Sequence, residues 1–95
     1  MRKAPLLAPV MLAACVAQHP PVHGVTPGHK CDAARTGQYI GQPGTADTGA
    51  SILAATRAAV LRWAPIGYML TMDYREDRVT VRLGPDRRVT AINCG

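Results

Sequence analysis

The densest run of reactive side chains is "LTMDYREDRV", Leu70 to Val79, in which Asp73, Glu76 and Asp77 are interleaved with Arg75 and Arg78. Paired carboxylates can divide general-acid and general-base work, but arginines this close keep all three acids ionised, so none is poised to carry a proton. No nucleophile completes them. Ser51 is the only serine and falls within a helical pattern, and His19, His23 and His29 all precede Cys31. Neither a Ser-His nor a Cys-His arrangement is therefore available on the segment that follows. "GQPG", Gly41 to Gly44, lacks the lysine and the spacing of a phosphate-cradling loop. An enzyme is the least supported class, and no cofactor is expected.

The three histidines raise metal chemistry, with Cys31 close behind them. Their spacing is loose and they sit on "VAQHPPVHGVTPGHK", Val16 to Lys30, a Pro/Gly-rich stretch without hydrophobic periodicity. Such a segment has no scaffold to hold ligands in place, so no metal site is expected. Nucleic acid is also disfavoured. The eleven basic and six acidic residues give a formal charge of +5. Without Arg2 and Lys3, nine basic residues face the six acids, about +3, and no aromatic platform is interleaved with them.

The N-terminus reads as a targeting element. "MRKAPLLAPVMLAAC" has a basic start, an apolar stretch from Ala4 to Ala14 and small residues before Cys15, the form of a secretory signal. It is too short to span a bilayer, and Pro5 and Pro9 argue further against a spanning helix. "LAAC", Leu12 to Cys15, resembles the lipobox of bacterial lipoproteins. That resemblance implies lipidation of Cys15 and a cell-envelope domain facing the periplasm or the outside, as in an outer-membrane lipoprotein. An ordinary signal peptide cut near Ala14 is the alternative. If Cys15 is lipidated, Cys31 and Cys94 are left to pair, in a compartment that permits disulfides. The expected organisation is a signal at 1–14, the lipidated cysteine and a flexible tether at 15–30, and one small domain at 31–95.

The elements that must position the charged run follow from periodicity. Asp32 can cap a short helix before the breakers Gly37, Gly41, Pro43 and Gly44. Thr45 or Asp47 starts a helix over Ala46 to Ala59, with Ile52, Leu53, Thr56 and Ala59 or Val60 on its apolar face and Gly49 weakening it. A short strand follows at Val60 to Trp63, with Trp63 in the core beneath the helix. Val79, Val81 and Leu83 alternate with Arg78, Thr80 and Arg82 as a half-buried strand, "GPD" turns the chain, and Val89 to Ile92 returns it. The fold class is α+β: one main helix packed on a small mixed sheet, with a long exposed loop, Pro65 to Asp77, between the first and second strands. A loop that long in so small a domain has a use. Arg75 and Arg78 are expected to project back and hold Thr71 and Asp73 by charge-assisted hydrogen bonds, leaving the loop rigid.

"GYMLTMDYREDRVTV" resembles the reactive loop and following strand of the potato inhibitor I family of serine-protease inhibitors. The segment from "CDAARTGQYIGQPG" to "VTAINCG" is similar, closer still, to the bacterial peptidase inhibitors of family I seventy-eight. The resemblance implies a reversible, substrate-like inhibitor of serine endopeptidases. Met72 would enter the primary specificity pocket, Met72-Asp73 would be the presented bond, Leu70 and Thr71 would fill the preceding subsites, and Asp73 and Tyr74 would follow it. Arg75 and Arg78 would support the loop. Thr80 stands where potato-type inhibitors often carry a second supporting arginine, which implies a less rigid loop. A Met at the key position favours subtilisin-, chymotrypsin- or elastase-type enzymes over trypsin-like ones. The implied partners are a serine protease and a lipid anchor, with the chain expected to be a monomer. The alternative is a non-inhibitory envelope lipoprotein that uses the same fold as a binding or structural module.

Overall fold

The computed structural model describes residues 22–95. The signal segment, the lipidation of Cys15 and His19 lie outside the described residues. Within them the order is a 3-10 turn at Gly37–Tyr39, α1 at Ala46–Thr56, β1 at Val60–Ala64, β2 at Arg78–Leu83 and β3 at Val89–Cys94. This is the expected α+β arrangement, one helix on a three-stranded mixed sheet with β2 in the centre.

The helix starts where the sequence says it should. Thr45 is the N-cap, its hydroxyl accepting from the Thr48 N–H at 3.4 Å, and Asp47 lies in the first turn where the helix dipole favours an acid. Its end falls at Thr56, before the expected Ala59. Arg57 turns left-handed at φ 64°, while the Thr56 hydroxyl donates back to the Ile52 carbonyl and accepts from the Ala58 N–H. That sharp exit lets Ala59 and Val60 donate their N–H groups to the Asp77 carbonyl, which sets the start of β1 against the end of the loop. Asp32 caps no helix. Its Oδ1 accepts from the Ala34 N–H two residues on, a local turn, and the 3-10 turn begins later from Thr36.

Gly49 has a second role besides lowering helix propensity. A Cβ there would sit 2.9 Å from Cζ2 of Trp63, so the glycine lets α1 approach β1 closely with the indole against it. Trp63 is half-buried in that contact, packed on the core formed by Ile52, Ala58, Val79, Val81, Leu83, Val89 and Ile92. Each large member of that cluster contributes about 1.5–3 kcal/mol by leaving water. The Cys31–Cys94 disulfide, with Cα atoms 5.6 Å apart, closes a separation of 63 residues. On the loop-entropy account it stabilises the domain by about 4 kcal/mol.

β2 and β3 are antiparallel and joined by the Gly84–Arg87 turn, whose Arg87 N–H donates to the Gly84 carbonyl and whose Arg87 is left-handed at φ 64°. β1 and β2 are parallel, with Arg62 beside Thr80 and Trp63 beside Val81. Parallel neighbours cannot be joined by a tight hairpin, because the chain must travel back along the sheet before re-entering it. Here the return is Pro65 to Asp77, so the fold itself requires the long connection.

Residues 22–30 are tied to the domain by hydrogen bonds, which revises their assignment to a flexible tether. The Asp77 N–H donates to the Gly24 carbonyl at 3.0 Å and the Thr26 hydroxyl donates to Asp77 Oδ2 at 2.6 Å. His29 Nδ1 donates to the Arg57 carbonyl at 2.9 Å, at the end of α1.

Candidate functional site

Period-two alternation splits the sheet into two faces. Leu61, Trp63, Val79 and Val81 point to the core under α1. On the other face Arg62 of β1 lies in register with Thr80 of β2, and Arg78 precedes it on the same strand. Arg78 and Thr80 are buried, at 9% and 4% exposure, although both are polar. Their partners explain that. The Thr80 hydroxyl donates to the Gly95 carbonyl oxygen at 3.0 Å, and Arg78 Nε donates to the same oxygen at 3.0 Å. Buried polar groups persist when hydrogen-bonded, and these form a satisfied platform beneath the loop.

The platform reaches the loop at two points. Arg78 Nη2 donates to the Asp73 carbonyl at 2.8 Å, and its Nη1 lies 3.7 Å from the Asp73 carboxylate. Arg62 Nη1 donates to the Thr71 hydroxyl at 3.0 Å while its Nε donates to Thr80 at 3.2 Å. Between these two held residues stands Met72, 99% exposed. Ile66, Tyr68, Met69 and Tyr74 are exposed along the same loop, whereas Leu70 is half-buried. The Tyr74 ring lies beside Gly95, where a Cβ would be 3.2 Å from it. The loop thus displays apolar side chains outward from a polar base.

Two expectations about the base change. Arg75 reaches neither Thr71 nor Asp73. Its Nε and Nη2 donate to Asp77 Oδ1 and Oδ2 at 3.0 and 3.1 Å, a forked pair two residues apart in the chain. Asp77 is 1% exposed, and a carboxylate that deep takes the nearest guanidinium. The second supporting arginine, absent at Thr80, arrives instead as Arg62 from β1. The alternation of Leu61 and Trp63 already implied that Arg62 faced away from the core. Its neighbours Thr80 and Thr71 depend on the parallel register, for which the sequence carried no signal.

Electrostatics follow these contacts. The Asp77 carboxyl is lowered to about 2, first by the hydrogen bonds from Arg75 and then by the one from Thr26, against its desolvation. The Asp73 carboxyl is lowered by the Thr71 hydroxyl, by its own backbone N–H and by the Arg78 charge. Arg75 is raised in turn by its bonds to Asp77. All three groups are fixed ions at neutral pH, suited to holding a shape. His23 stands 3.7 Å from Asp73 and His29 at the end of α1, so the two described histidines serve different places. Among the described residues, no three His, Cys, Asp or Glu side chains gather as metal ligands.

Comparison with known proteins bears on this arrangement. Residues 31–95 match the Peptidase inhibitor I78 family. The chain is similar in fold to the crystal structure of an elastase inhibitor, AFUEI, at 24% sequence identity and a TM-score of 0.50, over 62% of this chain and 81% of that one. No curated protein matches it in sequence.

Proposed function

The chain belongs to the Peptidase inhibitor I78 family and is a non-enzymatic peptidase inhibitor; from that premise we propose that it inhibits serine endopeptidases with apolar primary pockets by presenting Met72-Asp73. The observation that carries the reading is a fully exposed Met72 between two neighbours anchored by Arg62 and Arg78. Leu70 and Thr71 occupy the preceding subsites, and Asp73 and Tyr74 follow the presented bond. A loop held in its bound shape before docking loses little conformational entropy on binding. The thioether of Met72 fills a subtilisin-, chymotrypsin- or elastase-type pocket, contributing about 1.5–3 kcal/mol by its burial. The elastase inhibitor of similar fold supports an elastase-type target.

The same anchors explain how a presented bond escapes turnover. On attack at the Met72 carbonyl, the amine released on Asp73 stays where it formed, because Arg78 grips the Asp73 carbonyl. A retained amine re-attacks the acyl group faster than water can, so the bond reseals. The interface would bury about 1,600 Å² if it has the usual protease-inhibitor size. Upstream, the lipobox-like "LAAC" supports a lipid anchor at Cys15 and a domain facing the periplasm or exterior; mass spectrometry of the membrane fraction checks it, and an unmodified chain beginning beyond Cys15 excludes it.

Inhibition constants of the purified chain against subtilisin, chymotrypsin, pancreatic elastase and trypsin test the inhibitor reading. Tight inhibition of one or more of the first three is expected, and Met72→Lys should shift it toward trypsin. Equal constants for Met72→Gly and the parent would remove Met72 from the site.

A further inference from the structure

The described residues contain two methionines, Met69 and Met72, and both lie on the exposed loop, at 87% and 99% exposure. None is in the core, which is built from Ile, Val, Leu and Ala. The other described sulfurs are locked in the Cys31–Cys94 disulfide. A domain that packs without methionine, and places its two thioethers at maximal exposure around the presented bond, directs mild two-electron oxidants, among the described residues, to that loop. We propose that Met72 is an oxidation-controlled site, at which a peroxide switches inhibition off and a dithiol-dependent reductase restores it. The inference rests on the assignment of Met72 as the specificity residue.

The chemistry is balanced. A sulfur lone pair of Met72 attacks the distal oxygen of hydrogen peroxide, the O–O bond breaks, and the departing hydroxide takes the transferred proton to leave as water. Sulfur gains one oxygen and is oxidised by two electrons. In the reverse direction two thiols give up two electrons and two protons, forming a disulfide, and the oxygen departs as water. The product keeps the shape of the side chain but carries a strong S–O dipole, which an apolar pocket cannot hydrogen-bond. Nothing in the fold should be disturbed, since Met72 is 99% exposed and no member of the core cluster. Met69, nearly as exposed and outside the presented bond, is the built-in control.

The test treats the full chain with hydrogen peroxide, maps sulfoxides by mass spectrometry and measures inhibition of an apolar-pocket protease that the untreated chain inhibits. Oxidation of Met72 at a rate within a few-fold of a methionine in a short unstructured peptide is expected, with about a 100-fold weaker inhibition constant. Methionine sulfoxide reductases with dithiothreitol should restore it. Met72→Leu, whatever its own untreated constant, should show no change in that constant on the same treatment, and Met69→Leu should weaken as the parent does. Equal loss in Met72→Leu, protection by Met69→Leu, or unchanged inhibition by a chain carrying Met72 sulfoxide would each overturn the proposal alone. An untreated chain that inhibits none of the apolar-pocket enzymes would instead overturn the functional reading beneath it.

Discussion

β1 and β2 present two faces made from alternate residues of the same few positions, and the two faces have opposite chemistry. Leu61, Trp63, Val79 and Val81 meet the helix and exclude water, whereas Arg62, Arg78 and Thr80 meet the loop through directed hydrogen bonds. Apolar burial is non-directional and scales with area, so it supplies stability with loose geometric demands. Charge-assisted bonds supply less net stability but add geometric specificity. This small domain thus separates how firmly it folds from how rigidly it holds the neighbours of Met72, one residue apart along each strand.

The separation can be broken from either side. Ile52→Ala on the core face should cost about 2–5 kcal/mol, the largest effect here, because Ile52 is fully buried among Val79, Val81 and its neighbours. Denaturant unfolding followed by Trp63, the only tryptophan, measures it. The inhibition constant of the folded fraction should stay unchanged; a large rise in it while folded would show that the faces are coupled. Arg78→Ala should do the reverse, weakening inhibition by about 10- to 100-fold, as the Asp73 carbonyl loses its donor and the Gly95 oxygen keeps only the Thr80 hydroxyl. Slow cleavage at Met72-Asp73 should then appear on prolonged incubation, since the released amine is no longer held. Arg62→Met comes next, with roughly tenfold weaker inhibition, because it frees the Thr71 side chain while the Asp73 anchor remains. Matching losses in thermal stability for both arginine variants and Ile52→Ala would erase the distinction.

What the sequence revealed follows from the range of each interaction. The β2 strand and the Thr45 cap are local, and the structure places both where expected, but β2 is not half-buried: Arg78 and Thr80 on its outer face lie buried beneath the loop and only Arg82 is exposed. The helix end was hidden because Arg57, not a glycine, takes the left-handed turn, and nothing in a lone arginine signals that. The importance of the loop was legible from its length, and Arg78 does hold Asp73, but Arg75 was misassigned and Arg62 was missed. Proximity in the chain favoured Arg75 as a brace for Thr71 and Asp73, yet a buried carboxylate at Asp77 outcompetes exposed partners for a nearby guanidinium. Arg62 and Thr26 reach the site across 9 and 51 residues from their partners, through pairing directions that periodicity does not encode. Met72 itself emerged from a family resemblance, since exposure of a methionine cannot be read from spacing.

Asp77 is where β1, the loop and residues 22–30 meet, and the effect of changing it is diagnostic because it fades in acid. Its N–H donates to Gly24, its carbonyl accepts from Ala59 and Val60, and its carboxylate is held by Arg75 and Thr26. The folded carboxyl is lowered to about 2 from 3.8, so the unfolded chain binds the proton first as pH falls. The stability this group contributes is complete above about pH 4 and is lost as pH descends through about 2. Asp77→Asn cannot titrate, so it should be less stable than the parent at pH 5 to 7 and converge on it toward pH 2. Urea midpoints from Trp63 fluorescence at half-unit intervals give the comparison. A stability gap that stays constant from pH 4 to pH 2 would mean that Asp77 holds the loop base by shape alone, and that its pair with Arg75 adds nothing as charge.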